Sequence, residues 1–395
     1  MLRFMTSGES HGKGLVTIIN GLPAGLKVDL QFINNELARR QKGYGRGRRM
    51  QIETDEVEII AGVRNAETLG SPISLLIRNR DFKNWQDIMD SGECIGINKR
   101  IVTRPRPGHA DLAGAMKYQH KDMRNILERA SARETAARVA VGAFFKAFLM
   151  YFDIYIYSQV ISIGSVNIPP TSVTQNNINE FYTQIEDSPV RCFNKTGELE
   201  MIKAIEKARS QGESLGGSFE VGAIAVPPGL GSHTSWEQKL DSQITAALVS
   251  IPAIKAVEIG DGIANAGKPG SQVHDEIAYQ DEYGLFRSSN RAGGIEGGIS
   301  NGETIWARAY MKPIPTLFKP LKSVNISNWK EERAQVERSD ICAVPAAAVV
   351  GEAMMAFVLA RSFRNKFAGD SMEQIDQAYK DYMAYLQREW KWKRI

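Results

Sequence analysis

Cysteine is scarce in this chain of 395 residues, which contains only Cys94, Cys192 and Cys342. The three residues are far apart, odd in number and form no Cys-x-x-Cys pair. Such a set indicates neither a disulfide framework nor a zinc site, and it favours a reducing compartment. We therefore expect no metal centre, and we expect the protein to be cytoplasmic.

The sequence also lacks a leader, long apolar runs and a strong excess of charge. Polar, glycine-rich sequence begins at Thr6, and no uninterrupted apolar run reaches the roughly 18 residues that span a bilayer. Neither a targeting segment nor a membrane partner is predicted. The net charge of +4 is too small to indicate a nucleic-acid partner, although it leaves room for a local basic pocket that binds a small anion.

Strand and helix patterns are interspersed along the chain. They predict strands at 15–20, 73–77, 154–163 and 219–226, and helices at 29–41, 123–152, 198–209, 236–248, 343–363 and 372–393. There is no fixed-period repeat, and no strict β–α alternation that would indicate a doubly wound sheet. The expected fold is mixed α+β, in a single domain that spans residues 1–395.

Two of the five histidines lie beside glycine, in segments that core packing does not explain. His11 belongs to GESHG at 8–12, and His109 follows the stiff run RPRPG at 104–108. An imidazole can transfer a proton near neutral pH, and the glycines allow a ligand to approach the backbone. The residues alone equally allow a polar surface turn at His11 and a buried structural histidine at either position.

A basic segment, RRQKGYGRGRR at 39–49, places six cations within eleven residues. The planar donor fork of arginine suits phosphate and carboxylate groups. Arg-Gly segments with an aromatic residue also occur in proteins that bind single-stranded RNA, and a solvated basic loop is a third possibility. Because the run follows a helix and does not recur, we favour a site for a small anion.

Arg129 and Arg133 are four residues apart in the predicted 123–152 helix, so we expect them to share a helix face. The stretch around them is rich in alanine and should be buried, so both arginines need partners. A bound anion is one candidate. Glu128 and Glu134 are the others, and the spacing slightly favours these two carboxylates.

Three further segments have the composition of ligand-binding loops. Five glycines between 293 and 302 would let a flat cofactor approach the backbone, and MKPIPT at 311–316 is a rigid loop that carries a cation and a hydroxyl. ERSD at 337–340 is predicted to cap the helix that follows it. GIANAGK at 262–268 is not a P-loop, because Pro269 stands where the motif needs Ser or Thr.

Taken together and in this order, these segments resemble chorismate synthase. The resemblance runs from residue 1 to about residue 360, and although each motif alone is weak, the ordered set is specific. The matching segments are GESHG at 8–12, RRQKGYGRGRRM at 39–50, RPGHADLAGAMKY at 106–118, RASARETAARVAVGA at 129–143, GGIEGGISNGE at 293–303, MKPIPT at 311–316 and ERSD at 337–340.

The resemblance implies a large β-α-β sandwich that assembles as a homotetramer. It also implies a lyase that forms chorismate from 5-enolpyruvylshikimate 3-phosphate by 1,4-anti-elimination of phosphate. The family requires reduced FMN without net redox change, and a separate flavin reductase is expected to supply it. A flavin-dependent oxidoreductase, or a protein that binds RNA through the Arg-Gly loop, is the alternative.

The resemblance further implies roles for individual residues. His11 protonates the departing phosphate, His109 serves the reduced flavin, and Asp340 helps the flavin nitrogen to act as base. The implied substrate ligands are Ser10, Arg40, Arg46, Arg49, Arg133 and Arg338. The implied flavin positions are Arg129, Ala130, Ser131, Ala253, Gly297, Lys312, Thr316 and Arg338.

Two features of this chain complicate the transfer of roles. Positions such as Arg40 and Arg46 are also assigned to NADPH in this family, whereas we place them on the substrate side. Pro252 stands where many members have asparagine, and proline has neither the amide side chain nor a backbone donor. Any flavin hydrogen bond made by that asparagine is therefore lost or replaced here.

Overall fold

The computed structural model describes residues 1–47, 54–337 and 339–393. Two of the residues to which the resemblance gives a role, Arg49 and Arg338, lie outside these ranges. All other implied site residues are described.

Within the described residues, short strands and longer helices are interspersed, as the sequence predicts. The strands are β1 (Arg3–Ser7), β2 (Gly14–Asn20), β3 (Ala24–Lys27), β4 (Val57–Ala61), β5 (Val63–Arg64), β6 (Glu67–Leu69), β7 (Ile73–Arg78), β8 (Tyr155–Ile163), β9 (Val166–Asn167), β10 (Gly217–Ile224), β11 (Ile254–Ile259), β12 (Ile277–Gln280), β13 (Gly284–Arg287), β14 (Ile295–Glu296), β15 (Ile299–Ser300), β16 (Ile305–Met311), β17 (Lys322–Asn325) and β18 (Lys330–Arg333). The α-helices are α1 (Leu30–Gln41), α2 (Gln86–Met89), α3 (Asp111–Tyr118), α4 (Arg124–Ala130), α5 (Thr135–Met150), α6 (Ile178–Asp187), α7 (Lys195–Gln211), α8 (Leu240–Val249), α9 (Gly262–Asn265), α10 (Val344–Lys366) and α11 (Met372–Trp390).

Two antiparallel sheets enclose a layer of helices. One sheet has the order β1-β2-β7-β4 and the other β11-β16-β10-β8-β9. Helix α5 packs on β1 and β2, α10 packs on β8 and β10, and the two helices pack against each other. Leu15, Thr17 and Ile19 of β2 are buried while Val16 and Ile18 are exposed, because alternate side chains of a strand point to opposite faces. The architecture is therefore α+β with a β-α-β layering.

The helices at the centre approach each other very closely. A Cβ atom on Gly142 of α5 would lie 2.2 Å from the Cβ of Ala353 on α10, so only glycine allows this approach. Fully buried aromatic side chains fill the layer, among them Phe144 and Phe148 of α5 and Phe363 of α10. Burying each of them stabilises the fold by roughly 1.5–3 kcal/mol.

One long predicted helix is wrong as a single element. Residues 123–152 contain α4, a 3-10 turn at Ala132–Glu134 and α5. The break falls at Ser131, whose backbone is extended, with φ −66° and ψ 143°. The Ser131 side chain accepts a hydrogen bond from the Arg133 backbone N–H at 3.3 Å, which caps the following turn. This local cap outweighs the helical propensity of the flanking alanines.

Two smaller differences concern helix ends. The predicted 236–248 helix begins as a 3-10 turn at Trp236–Gln238, and α8 starts only at Leu240. The predicted 372–393 helix ends at Trp390, because Lys391 adopts a left-handed conformation with φ 52°.

Within the described residues, α10 is the helix that is long and apolar enough to cross a membrane by length and composition, and 89% of its apolar window is buried inside the molecule. A buried core helix passes the same test, so the finding carries little weight for a membrane span.

Candidate active site

The GESHG segment forms a turn after β1 that holds His11 against a carboxylate and an indole. The Nδ1 atom of His11 lies 3.0 and 2.9 Å from the two carboxylate oxygens of Glu128, and the His11 backbone N–H donates to Oε2 of Glu128 at 2.8 Å. The imidazole stacks on Trp85, with ring centroids 3.9 Å apart and planes inclined by 25°. Because Glu128 holds Nδ1, Nε2 is the nitrogen that can exchange a proton with a ligand.

Glu128 remains a carboxylate in this setting. Burial alone would raise its pKa, but the hydrogen bond and charge of His11, with the charge of Arg124, outweigh burial and lower it. Nη1 of Arg124 lies 3.0 Å from Glu128, and its Nη2 lies 3.3 Å from Glu337. An ionised partner at Nδ1 orients the ring and stabilises an imidazolium, so this pair suits a proton donor.

Three arginines predicted to bind an anion lie close together beyond this turn. Nη1 of Arg133 and Nη1 of Arg40 both bind the buried carboxylate of Asp55, the second at 3.4 Å. Arg46 binds Asp340 at 2.9 Å. Burial lowers the pKa of Arg40 to about 10; Asp55 opposes this shift, and the positive charges of Arg46 and Arg133 reinforce it. Two guanidiniums share the one carboxylate of Asp55, so positive charge is in excess among the described residues of this cluster.

One donor nitrogen of Arg133 is not used by the described residues around it. Its Nε donates to Asn79 at 2.9 Å and its Nη1 to Asp55, whereas its Nη2 is buried and has no hydrogen-bond partner among the described residues. A buried guanidinium nitrogen without an acceptor is costly, because the lost hydration is not replaced. An anion bound here would satisfy it.

A second cluster surrounds His109. Nδ1 of His109 lies 2.6 Å from Asp111, and Nε of Arg106 binds the same carboxylate at 2.8 Å. Nη1 of Arg106 donates to the hydroxyl of Thr316 at 2.9 Å. Burial would raise the pKa of Asp111, but hydrogen bonds from His109 and Arg106 outweigh burial and hold the pKa well below its usual range.

Lys312 links Ala253, another implied flavin position, to the loop that carries His109. Its ammonium donates to the carbonyl of Gly108 at 2.6 Å, and its backbone N–H donates to the carbonyl of Ala253 at 2.9 Å. Burial and the charge of Lys255 lower the pKa of Lys312. Ala253 holds φ at 69°, an uncommon conformation for a residue with a side chain, and such strain is often found at ligand sites. This cationic donor set suits an anionic ring or phosphate.

The comparisons with known proteins agree with the motifs. A family model described as chorismate synthase matches residues 2–363. The chain is 64% identical to a chorismate synthase of Syntrophomonas wolfei subsp. wolfei, and 100% of each sequence is covered. It is 54% identical to one of Desulforamulus reducens, over 98% of this chain and 100% of the relative. A crystal structure of chorismate synthase superimposes with a TM-score of 0.80 at 44% identity, covering 98% of both chains.

This chain belongs to the chorismate synthase family. The chain is therefore a lyase that acts on a small-molecule substrate, and the family depends in general on a flavin. The predicted fold class and enzyme class are confirmed. In the part of the chain that the structure describes, no group of three or more His, Cys, Asp or Glu side chains could hold a metal ion.

The expectation that Arg129 and Arg133 share a helix face is wrong. Because the chain breaks at Ser131, Arg133 points to Asp55, while Arg129 donates to the carbonyls of Thr6 at 2.9 Å and Gly8 at 3.2 Å. Their expected partners are wrong as well. Glu128 pairs with His11 and Arg124, and Glu134 pairs with Arg138.

The predicted cap at ERSD is also wrong. The N-cap of α10 is Ala343, which makes no side-chain cap hydrogen bond. Asp340 instead accepts from the Gly47 N–H at 2.7 Å and pairs with Arg46. Residues 335–337 connect the two clusters, because the Gln335 N–H donates to the carbonyl of Arg104 at 3.2 Å while Glu337 pairs with Arg124.

The other residues implied for flavin or substrate lie in three places. The Ser131 hydroxyl donates to that of Ser10 at 3.1 Å, so this implied flavin position lies beside the His11 turn, and Ala130 precedes it at the end of α4. Gly297 lies apart, exposed in the turn between β14 and β15. Lys312, Thr316, Ala253 and His109 form the second group.

Sequence reasoning missed several residues of the chorismate synthase site, which are Asp55, Asn79, Trp85 and Arg124. Each contacts a functional group from a distant part of the chain: Asp55 is 78 residues from Arg133, for example. A weak signal exists for Asn79 and Trp85, because polar NRD at 79–81 directly follows the strand ISLLIR. For Asp55 no sequence signal distinguishes it from a surface carboxylate.

Proposed function

We propose that this chain converts 5-enolpyruvylshikimate 3-phosphate to chorismate by 1,4-anti-elimination of phosphate, using reduced FMN without net redox change. The observation that carries the proposal is the buried Nη2 of Arg133 beside Arg40; this nitrogen has no hydrogen-bond partner within residues 1–47, 54–337 and 339–393. A donor and excess positive charge suit a phosphate or carboxylate, and His11 lies on a turn that Asn79 ties to Arg133. Cation, donor and acid are the groups that loss of phosphate requires.

The anionic groups of the substrate are proposed to bind the arginine cluster. Arg40, Arg46 and Arg133 supply charge, and Ser10 supplies a hydroxyl beside Ser131. Arg49 and Arg338 are proposed ligands on the resemblance alone, because they lie outside the described residues. Arg40 and Arg133 are deeply buried, which favours a small anionic substrate over NADPH at these positions.

His11 is proposed as the acid of the reaction. Its Nε2 donates a proton to the departing phosphate oxygen, while Glu128 stabilises the charged ring through Nδ1. Asp340, held by Arg46 and the Gly47 N–H, is an acceptor-only carboxylate that supports removal of the C6 proton. One proton and the phosphate leave, so no external oxidant or reductant is consumed.

The flavin is proposed to lie against the His109 cluster. Reduced FMN bound there would supply electron density to the breaking C–O bond without net redox change. Ala253, Lys312 and Thr316 are the residues of this cluster that would hold it. The remaining proposed flavin contacts are Arg129, Ala130, Ser131, Gly297 and Arg338.

His109 is proposed to protonate the reduced flavin or to balance its charge. Its Nδ1 lies 2.6 Å from Asp111, and this contact orients the ring. Pro252 offers no backbone N–H, so the flavin contact that asparagine makes in many family members must be lost or made by another group.

The domain organisation, the cellular compartment and the assembly of the chain are part of the same proposal. One hydrophobic core extends from Leu2 to Tyr379, which supports a single domain over 1–395. Cys94, Cys192 and Cys342 are free thiols, which suits the reducing cytoplasm. A homotetramer and a separate flavin reductase are proposed from the family resemblance.

The decisive experiment is an anaerobic measurement of stoichiometry. Enzyme, a substoichiometric amount of reduced FMN and 5-enolpyruvylshikimate 3-phosphate are mixed, and released phosphate is quantified. The proposal expects many phosphates per flavin, with the flavin still reduced at the end. One flavin oxidised per product would refute the lyase and favour an oxidoreductase. Tight, salt-dependent RNA binding that substrate and FMN leave unchanged would instead favour the RNA-binding alternative.

His11→Ala tests the assignment of the acid. Turnover should fall roughly 10²–10⁴-fold, because a positioned general acid contributes that much. FMN affinity should change little, and His233→Ala, at an exposed histidine, is the matched control. Wild-type turnover in His11→Ala would make His11 an ordinary turn residue.

A further inference from the structure

A single buried side chain joins the His11 turn to Arg133. The amide nitrogen of Asn79 donates to the carbonyl of Glu9 at 3.0 Å and to the carbonyl of Gly12 at 2.8 Å. Its amide oxygen accepts from Nε of Arg133 at 2.9 Å. Asn79 is only 5% exposed. The two carbonyls flank His11 on either side, so the amide clamps both ends of the turn that carries the imidazole.

The chemistry of this clamp is specific to asparagine. An amide offers two N–H donors and a carbonyl acceptor, and here both donors and the acceptor are used. Aspartate has the same shape but no donor for the two carbonyls, and alanine has neither group. The backbone N–H of Asn79 also donates to the carbonyl of Lys13 at 3.1 Å, so β7 holds the segment after the turn as well.

Asn79 also determines which nitrogen of Arg133 is left for a ligand. With Nε held by Asn79 and Nη1 by Asp55, the planar guanidinium cannot rotate, and Nη2 is the buried nitrogen that has no partner in the part of the chain that the structure describes. The short segment that begins at Asn79 continues to Trp85, whose ring stacks on His11. The same stretch of chain therefore supports the imidazole from two sides.

We propose that Asn79 is a positioning residue that holds the acid at His11 in register with the anion-binding guanidinium of Arg133. The inference rests on the functions proposed above for these two residues. It goes beyond them, because it makes their relative placement depend on one amide whose donors and acceptor are all used by groups of the protein. A misplacement of about 1 Å in such a pair can cost roughly 10²-fold in rate.

The test is a double-mutant cycle between Asn79→Ala and His11→Ala, measured by phosphate release with saturating reduced FMN under anaerobic conditions. Asn79→Ala alone should lower kcat about 10²-fold. In the His11→Ala background the same substitution should lower kcat by less than about threefold, because the group that it positions is gone. Asn79→Asp, which keeps the shape and the acceptor, should also lose at least about tenfold in kcat.

The matched control is Gln159→Ala. Gln159 is another buried amide that uses both donors and its acceptor, with Thr171 and Glu220 as partners, in the five-stranded sheet. Gln159→Ala should lower the unfolding midpoint about as much as Asn79→Ala does, and it should leave kcat within about twofold of the wild-type value. A loss of kcat in Gln159→Ala as large as that in Asn79→Ala would overturn the inference, because general destabilisation would then explain both.

The outcomes separate this inference from the proposed function. If His11→Ala is impaired and the two substitutions multiply, the positioning inference is overturned while the acid assignment stands. If His11→Ala retains wild-type kcat, the acid assignment fails and the inference that rests on it fails too. Wild-type kcat in both Asn79 variants overturns the inference alone.

Discussion

Replacement of Glu352 by glutamine should destabilise the fold severely, although the side chain keeps its shape. Glu352 is fully buried on α10, where Arg39 binds it through two nitrogens, at 2.8 and 2.9 Å. Arg191 binds it at 3.0 Å, and the Lys146 ammonium is a fourth contact. The charges of Arg39, Lys146 and Arg191 overcome burial and hold the pKa of Glu352 far below its usual range.

The magnitude follows from the charge balance of this network. Arg39, Lys146 and Arg191 are its cations, and Glu36, Glu186 and Glu352 are its carboxylates, so the charges cancel. Glu352→Gln leaves one positive charge uncompensated inside the protein. Breaking a buried ion pair on one side typically costs about 3–5 kcal/mol. Against a total stability of roughly 5–15 kcal/mol, that loss is a large fraction.

The measurement is urea unfolding at neutral pH. A loss of about 3–5 kcal/mol should lower the midpoint by on the order of 1 M. Glu206→Gln, which breaks an exposed pair with Arg209, should change stability by less than about 0.5 kcal/mol. Adding Lys146→Met to Glu352→Gln restores the charge balance, so the double variant should be less destabilised than the sum of the two.

A midpoint for Glu352→Gln equal to that of the wild type would refute this reasoning. It would show that the three cations lose their charge or gain water without cost. Substrate binding at the arginine cluster should also be affected, because Arg39 directly precedes Arg40 on α1 and the network fixes the end of that helix. An increase in KM for substrate is therefore expected alongside the lower midpoint.

Two further predictions concern single site residues. Asp111→Asn should destabilise the protein by about 3–5 kcal/mol at pH 7, because buried Arg106 loses its counter-charge. The pKa of Asp111 is depressed in the folded state, so its contribution to stability is present above about pH 4 and is lost as the pH falls. Urea midpoints measured from pH 3 to 7 should therefore show that the difference between Asp111→Asn and wild type narrows only in acid. A difference that widens in acid would contradict the assignment. Arg46→Ala should weaken substrate binding by about 2–5 kcal/mol and leave FMN affinity within about threefold, as measured by calorimetry; the reverse pattern would place Arg46 on the cofactor side.

Much of the architecture follows from local sequence patterns. Strand β2 is a short run rich in β-branched residues, and Asp29 caps α1, with its side chain accepting the Gln31 N–H at 2.8 Å. The ordered glycine, histidine and arginine motifs predicted the family. These features depend on neighbours within a few residues, so they can be recognised in a single sequence.

The partners of the site residues could not be predicted in this way. His11 meets Glu128 across 117 residues and Asp340 meets Gly47 across 293, because β1, α4 and the segment before α10 converge only in the folded molecule. Local capping at Ser131 likewise broke a helix that composition favoured, and it turned Arg133 away from Arg129.

The sequence by itself therefore determined the types of functional group, the family and most of the elements. Only the tertiary structure decided that Arg40 and Arg133 share the carboxylate of Asp55, and that Nη2 of Arg133 has no partner among the described residues. Only the tertiary structure, likewise, decided that Asn79 bridges Arg133 and the His11 turn. The physical reason is that these properties depend on burial and on contacts between residues far apart in sequence, and local propensity carries no information about either.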